Sequence, residues 1–165
     1  LNDGVYVACN VSPDVVLSGE LPASLCDGML SRIVLEITEH SSVQDYANLE
    51  CMLRPLRDRG LRLAVDDAGA GYSSFGHILR LHPDYIKLDM SITRGIDRDR
   101  GRRALTAALM GFAHETGSEL IAEGVETASE LATLRALGVH KGQGYLLGRP
   151  TPFDIARDLV DRQLS

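Results

Sequence analysis

Leu61-Arg-Leu-Ala-Val-Asp66 decides which fold this sequence can form. Successive side chains of a β-strand point to opposite faces of a sheet, so Leu61, Leu63 and Val65 share one face while Asp66 lies on the other. Three further segments combine an apolar face with a polar group near the carboxyl end of the opposite face: Val5–Asn10, Ile33–Thr38 and Tyr85–Asp89. We predict that all four segments are strands of one sheet.

Helical patterns separate these strands and carry recognisable end signals. Four helices are predicted, from Ser42 to Gly60, from Leu105 to Gly117, from Thr127 to Gly138, and one that is opened by Thr151-Pro152. The third begins with the capping box Thr127-Ala-Ser-Glu130, and Gly138 follows its last turn. Two more strands are predicted, at Leu120–Gly124 and, more weakly, between Val139 and Leu147.

Strands that alternate with helices are parallel and are joined by crossover helices. Six such strands fit either an open, doubly wound sheet or most of an eight-stranded barrel. In a barrel, helices cover the apolar face of every strand, and the polar groups converge at the carboxyl end of the strands, where barrel enzymes carry their active sites. We therefore predict an α/β fold, a TIM-like (β/α)₈ barrel of which this chain contains about six strands with their helices.

Composition limits the partners of the protein. The chain has 165 residues and a formal net charge of −6 without any basic run, which argues against polymeric nucleic acid and against direct membrane contact. Three cysteines without a Cys-x-x-Cys pair indicate reduced thiols, and we expect a cytoplasmic protein or the cytoplasmic part of a larger, membrane-anchored one. Because the chain starts at Leu1 and enters a strand almost at once, we expect it to be a piece of a longer protein.

Oxygen-bearing side chains recur at or just past the ends of the predicted strands. They are Asn10, Glu36, Asp66, Asp67 and Glu123. Hard oxygen ligands of this kind suit Mg²⁺ or Mn²⁺. A single acid at a strand end is usually a solvated loop residue or a helix cap, but a set that recurs on one face from strand to strand favours a metal site. Lys87 lies on the same inward face, where it either acts in the reaction or forms a salt bridge to a neighbouring acid.

Other catalytic chemistries find little support in the sequence. The five histidines show neither His-x-x-x-His nor His-Glu-x-x-His spacing, which argues against zinc. Neither a Gly-x-Ser-x-Gly motif nor a Walker loop is present, so covalent nucleophilic catalysis is disfavoured.

Six ordered motifs carry a specific resemblance. They are Val7-Ala-Cys-Asn-Val-Ser12, Leu35-Glu-Ile-Thr-Glu39, Val65-Asp-Asp-Ala-Gly-Ala-Gly-Tyr-Ser-Ser74, Ile86-Lys-Leu-Asp89, Ile121-Ala-Glu-Gly-Val-Glu-Thr127 and Gly142-Gln-Gly-Tyr-Leu146. Together they resemble the successive signatures of the EAL family of cyclic di-GMP phosphodiesterases. The likeness extends through nearly all of residues 1–165, which we interpret as one EAL-type domain that lacks its N-terminal part.

The resemblance implies a barrel that hydrolyses cyclic di-GMP to linear pGpG at a two-metal site holding Mg²⁺ or Mn²⁺. The implied metal ligands are Asn10, Glu36, Asp66, Asp67 and Glu123. Glu123 would also be catalytic, as would Lys87, which orients or activates the attacking water, and Glu39, which anchors the loop after Asp67. Gln143 would support substrate binding from the last strand. The resemblance also implies a homodimer and, in the parent protein, fusion to sensor or cyclase domains.

The sequence departs from the family pattern at three points. The Glu-Ala-Leu segment that names the family, with one metal ligand, would precede Leu1, so we expect these 165 residues alone to be inactive. Ala68 and Ile92 each stand where the family usually has Phe. Two alternatives remain: an EAL domain without catalysis that serves as a cyclic di-GMP receptor or protein-interaction module, and an unrelated metal-dependent barrel enzyme.

Overall fold

The computed structural model of the chain describes residues 6–21, 30–38, 43, 45–68 and 74–151. This part contains six parallel strands: β1 (Val7–Asn10), β2 (Ile33–Thr38), β3 (Arg62–Ala68), β4 (Tyr85–Leu88), β5 (Glu119–Ala122) and β6 (Lys141–Gly142). Each of the six strand predictions overlaps an observed strand, and the predicted Ile33–Thr38 coincides with β2. The largest differences are β3, which continues two residues past Asp66, β5, which ends two residues before Gly124, and β6, which is only two residues long.

Helices connect consecutive strands. They are α1 (Pro13–Leu17), α2 (Tyr46–Arg57), α3 (Ser74–Leu81), α4 (Met90–Thr93), α5 (Arg100–Thr116) and α6 (Ala128–Ala136), with a 3₁₀ turn at Leu30–Arg32. None of the helices in these described segments combines the length and the apolar character that a membrane span requires. The helix predicted after Thr151-Pro152 lies outside the described residues.

Local capping signals explain where the helices begin and end. The capping box of α6 is present as predicted, since Thr127 Oγ1 accepts from Glu130 N and the Glu130 carboxylate accepts from Thr127 N. Gly117 ends α5 in the left-handed conformation, with φ 72°. The predicted start of α2 at Ser42 was wrong: Asp45 is the N-cap, because its carboxylate accepts from Asn48 N.

The order of the strands distinguishes between the two folds that the sequence allowed. The sheet runs β1-β2-β3-β4-β5-β6, so every strand is paired with its neighbours in sequence. A doubly wound sheet instead reverses its strand order at a switch point. Sequential parallel pairing is the arrangement of a barrel wall.

Side-chain contacts show that this wall is curved. The rings of Tyr6, just before β1, and Tyr85 in β4 stack with centroids 6.0 Å apart. In a flat sheet three strand spacings would separate these positions by about 14 Å. Arg62 of β3 lies over both rings and Lys141 of β6 lies over Tyr85, so side chains from four parts of the wall converge on its concave side.

The two faces of the wall have the alternation that the sequence predicted. The outward side chains of the strands pack with the helices into the main core, which includes Leu35, Leu63 and Ile86. The concave face has a separate, smaller apolar layer made of Val34, Ala64, Tyr85 and Ile121. Two residues further along these four strands are Glu36, Asp66, Lys87 and Glu123. The polar side chains therefore lie directly above an apolar floor.

Leu63→Ala tests the assignment of the outward face. Leu63 is 0% exposed at the centre of β3, so its truncation should lower the free energy of unfolding by about 2–5 kcal/mol. Leu79→Ala is the matched control because Leu79, in α3, is 57% exposed, and its truncation should change the stability by no more than about 0.5 kcal/mol. Urea denaturation measures both. Equal losses would contradict the assigned faces.

Candidate active site

Lys87 stands at the centre of a cluster of acidic side chains on the concave face. Its Nζ lies 2.9 Å from Glu36 Oε2, 3.0 Å from Asp66 Oδ1 and 2.8 Å from Glu123 Oε1. These partners come from β2, from β3 and from the residue that follows β5. The side chain of Lys87 is buried, and its ammonium group donates to three carboxylates that belong to three other segments. The sequence left a salt bridge or a reactive role open for Lys87, and the geometry shows that the salt bridges exist.

Burial and charge act in opposite directions on these groups. Burial alone would lower the pKa of Lys87, but its hydrogen bonds to Glu123 and Glu36 outweigh burial and hold that pKa above its usual value. Burial raises the pKa of Glu123, as do the charges of Asp66 and Asp67, while the Lys87 ammonium partly compensates. One ammonium thus faces several carboxylates, and the site keeps an excess of negative charge.

An irregularity in β3 brings two consecutive acids to one site. Val65 pairs with Ile86 and Ala68 pairs with Leu88, so three residue steps of β3 match two steps of β4, which is a β-bulge. Asp67 occupies the bulge with a φ of 58°, and its backbone N–H donates to Asp66 Oδ1. The bulge removes the alternation that would otherwise send Asp66 and Asp67 to opposite faces.

The chemistry of this cluster fits a divalent cation. One carboxylate oxygen from each of Asp66, Asp67 and Glu123 lies within 4.8 Å of the other two. All three side chains are partly buried, and hard carboxylate oxygens are the ligands that Mg²⁺ and Mn²⁺ prefer. The three residues could hold such an ion together.

Three other predicted site residues lie in or next to the strands of the sheet that carries this group. Glu36 is buried and bound to Lys87, and Asn10 ends β1 as the register partner of Glu36. Gln143 follows β6, and its Nε2 donates to Glu123 Oε1 at 2.6 Å. Glu39 lies outside the described residues, so its role as a loop anchor stays a prediction.

The site requires a glycine at position 144, a residue to which the sequence analysis assigned no role. The segment after β6 runs against Val125, which donates from its N–H to Gln143 O and accepts at its carbonyl from Leu146 N. A Cβ on Gly144 would lie 2.2 Å from Val125 N, and the φ of 153° is one that other residues rarely adopt. Glycine therefore permits the close approach that brings Gln143 to Glu123. The signal was present in the sequence as the glycine beside Gln143.

Comparison with known proteins identifies the family. The sequence profile of the EAL domain matches residues 2–150. The chain belongs to the EAL domain family. Over 121 residues it is 38% identical to the cyclic di-GMP phosphodiesterase PA2567 of Pseudomonas aeruginosa, and the match covers 73% of this chain and 21% of that relative. The chain thus spans about a fifth of the relative's length.

Solved EAL domains share the fold. The EAL domain of Mycobacterium smegmatis DcpA superposes with a TM-score of 0.87 at 30% identity, and the match covers 97% of this chain and 76% of that one. A manganese and cyclic di-GMP complex of Klebsiella pneumoniae BlrP1 superposes with a TM-score of 0.78 at 32% identity, covering 88% of this chain and 39% of that one. The predicted TIM-like barrel is confirmed, with the six described strands as part of its wall.

Two of the three departures from the family pattern, Ala68 and Ile92, lie in the hydrophobic core of this EAL domain. Ala68, the last residue of β3, and Ile92 in α4 are both buried and both belong to the main core. A smaller apolar residue therefore occupies each position without placing a polar group in the core.

The two lysines of the chain provide a matched test of the central ion pairs. Lys87→Met should lower the free energy of unfolding by about 3–5 kcal/mol because it leaves buried carboxylates without a cation. Lys141 pairs with Glu119 at a more exposed position, so Lys141→Met should cost less than about 1 kcal/mol. Urea denaturation without divalent cations measures the difference. Similar losses in the two variants would contradict the central role of Lys87.

Gly144→Ala tests the close approach beside Val125. The added Cβ cannot be accommodated without moving Gln143, so the variant should lose more than about 1 kcal/mol of stability. In Gly144→Ala, the NMR signal of the Gln143 side-chain amide should also shift, because the amide loses its hydrogen bond to Glu123. At Gly148 a Cβ would meet nothing within 4 Å, so Gly148→Ala is the control and should resemble the wild type. An unchanged Gln143 signal in Gly144→Ala would refute the role of this glycine.

Proposed function

We propose that this EAL domain hydrolyses cyclic di-GMP to linear pGpG with Mg²⁺ or Mn²⁺. The observation that carries the proposal is the convergence of Asp66, Asp67 and Glu123 beside the Lys87 ammonium. PA2567 is named as a cyclic di-GMP phosphodiesterase, and BlrP1 was solved with manganese and cyclic di-GMP, which supports the same chemistry here.

The proposed ligands of the cations are Asp66, Asp67 and Glu123, together with Glu36 and Asn10 at the ends of the adjacent strands. A bound pair of divalent cations supplies a water of lowered pKa and neutralises charge on the phosphodiester. This agrees with the sequence, in which no motif for a protein nucleophile was found. The apolar layer of Val34, Ala64, Tyr85 and Ile121 lies on the amino-terminal side of these acids, at the opposite end from the loops that follow the strands.

Lys87 and Gln143 are proposed to orient the reacting groups. Lys87 has three N–H donors, and all three face carboxylates. One of them would hold a water molecule or a phosphate oxygen if a carboxylate turned from Lys87 to a cation. Gln143 donates to the Glu123 oxygen that also contacts Lys87. Two donors thus restrict the Glu123 carboxylate to one orientation, which is the arrangement that a metal ligand or a general base requires.

Asp66→Asn tests the function. The amide keeps the size of the side chain but removes one anionic oxygen, so turnover of cyclic di-GMP should fall by about 100-fold or more at saturating Mn²⁺. Asp99→Asn, at the exposed N-cap of α5, is the matched control and should leave turnover unchanged, since Asn caps a helix as well as Asp does. Chromatography of the nucleotide products measures the rates. Loss of less than about threefold in Asp66→Asn would contradict its role as a ligand.

The material for this assay follows from the comparison with DcpA. Because the match covers 76% of the DcpA chain, the assay is run on the 165-residue chain and on the longest natural polypeptide that contains it. Formation of pGpG by the longer polypeptide supports the proposal. Tight binding of cyclic di-GMP without any pGpG would instead favour the receptor function.

A further inference from the structure

Glu130 is a buried carboxylate outside the acidic cluster. It is the third residue of α6, and its two oxygens accept three backbone hydrogen bonds. Oε1 accepts from Gly95 N at 2.8 Å, and Oε2 accepts from Glu126 N at 3.0 Å and from Thr127 N at 2.9 Å. Burial would raise the pKa of Glu130, but the three N–H groups outweigh burial and lower it. The group is therefore a charged acceptor inside the protein.

Capping of α6 accounts for only part of this arrangement. In a capping box, the side chain of the third helical residue accepts one backbone hydrogen bond from the N-cap residue. Here the Glu130 carboxylate accepts that bond from Thr127 N. The bonds from Glu126 and from Gly95 are additional. Gly95 is 35 residues away in sequence and belongs to another connection of the barrel. A side chain that only capped its own helix would not need that donor.

The additional donors belong to the two connections that follow the central residues of the site. Gly95 follows α4, which directly follows β4 and Lys87. Glu126 and Thr127 belong to the segment that joins Glu123 to α6. One carboxylate thus ties the connection after β4 to the connection after β5.

The same two connections meet at two other points. Arg94 Nη2 lies 2.5 Å from Glu126 Oε1 in a partly exposed ion pair. Gly124 has a φ of 63°, and a Cβ on it would lie 2.8 Å from Met90 Cβ, so the two backbones approach closely just beyond Glu123. Among these contacts, only the bonds to Glu130 involve a buried side chain.

We propose that Glu130 is a positioning residue that holds Glu123 against Lys87 by fixing the segment between Glu123 and α6. Glu123, the residue that follows β5, donates from its backbone N to Leu88 O of β4. This is the last backbone hydrogen bond between these two neighbouring segments. Beyond it, Val125 bonds to the segment after β6 on one side, and Glu130 supplies the bonds on the other side. The inference rests on the proposed function, because Glu123 matters as a ligand only if the acidic cluster binds a cation.

The experiment compares three variants of the 165-residue chain. Glu130→Ala removes all three bonds. Glu130→Gln keeps the shape but has one acceptor oxygen, so it can serve one of the two connections and not both. Thr127→Ala is the matched control, because it removes the other half of the capping box, Thr127 Oγ1, and leaves the three backbone bonds to the Glu130 carboxylate in place.

Two measurements are made on each variant. The first is the exchange of the Lys87 ammonium protons with water by NMR, without metal, which reports whether the buried bonds to Glu123 persist. The second is the affinity for Mn²⁺ by electron paramagnetic resonance. Glu130→Ala should accelerate the Lys87 exchange and weaken Mn²⁺ binding by about tenfold, as expected for a residue that supports a ligand from behind. Glu130→Gln should lie between Glu130→Ala and the wild type, and Thr127→Ala should match the wild type.

The outcomes separate this proposal from the proposed function. If Glu130→Ala and Thr127→Ala are alike in both measurements, Glu130 only caps its helix and the positioning role is overturned. If Glu130→Ala fails to fold, the same comparison is made with Glu130→Gln. If the wild type binds no Mn²⁺ while Glu130→Ala still accelerates the Lys87 exchange, the positioning role stands and the metal site fails.

Discussion

The Lys87 ammonium and its three carboxylate partners impose the constraint on which the other features of this domain depend. A buried charge is costly unless it is paired and hydrogen-bonded, and here the partners come from three different segments of the chain. The strands must therefore curve and keep their register for all the groups to meet. Removal of Lys87 would leave three carboxylates in a partly buried place without a cation. The site and the wall that carries it are one cooperative unit.

The concave face below the cluster supports this arrangement. Val34, Ala64, Tyr85 and Ile121 form an apolar layer that excludes water from beneath the acids. On the side of this layer that faces the amino ends of the strands, the Tyr6 ring stacks on Tyr85 and Arg62 lies over both rings. The barrel interior is layered along its axis. It has charged groups near the carboxyl ends of the strands, an apolar layer in the middle and a cation–aromatic stack towards the amino ends. Such layering by alternate residues is the usual way in which a parallel barrel fills its interior.

Departures from regular strand geometry are concentrated at the site. Asp67 adopts a φ of 58° in the bulge of β3, and Gly144 approaches the backbone of Val125. Regular strands would place Asp66 and Asp67 on opposite faces and would hold Gln143 away from Glu123. Backbone strain of this kind persists only where the surrounding structure determines it, and it commonly marks functional sites. In this domain the bulge brings the Asp66 and Asp67 carboxylates to the same group as Glu123.

The sequence by itself determined which residues face the interior, because strand alternation is a local property with a period of two. Glu36, Asp66 and Lys87 could be assigned to the polar face from their neighbours alone, and the box of Thr127 and Glu130 identified the start of α6. Tertiary structure decided the rest. Asp67 joins Asp66 because of a bulge that forms where β3 pairs with β4. Glu130 reaches Gly95 because two connections that are far apart in sequence meet in the folded domain. The sequence named Asp67 as a candidate ligand beside Asp66, but neither the bulge nor the Gly95–Glu130 bond could be read from it, because both are contacts between segments whose separation is fixed only when the sheet curves.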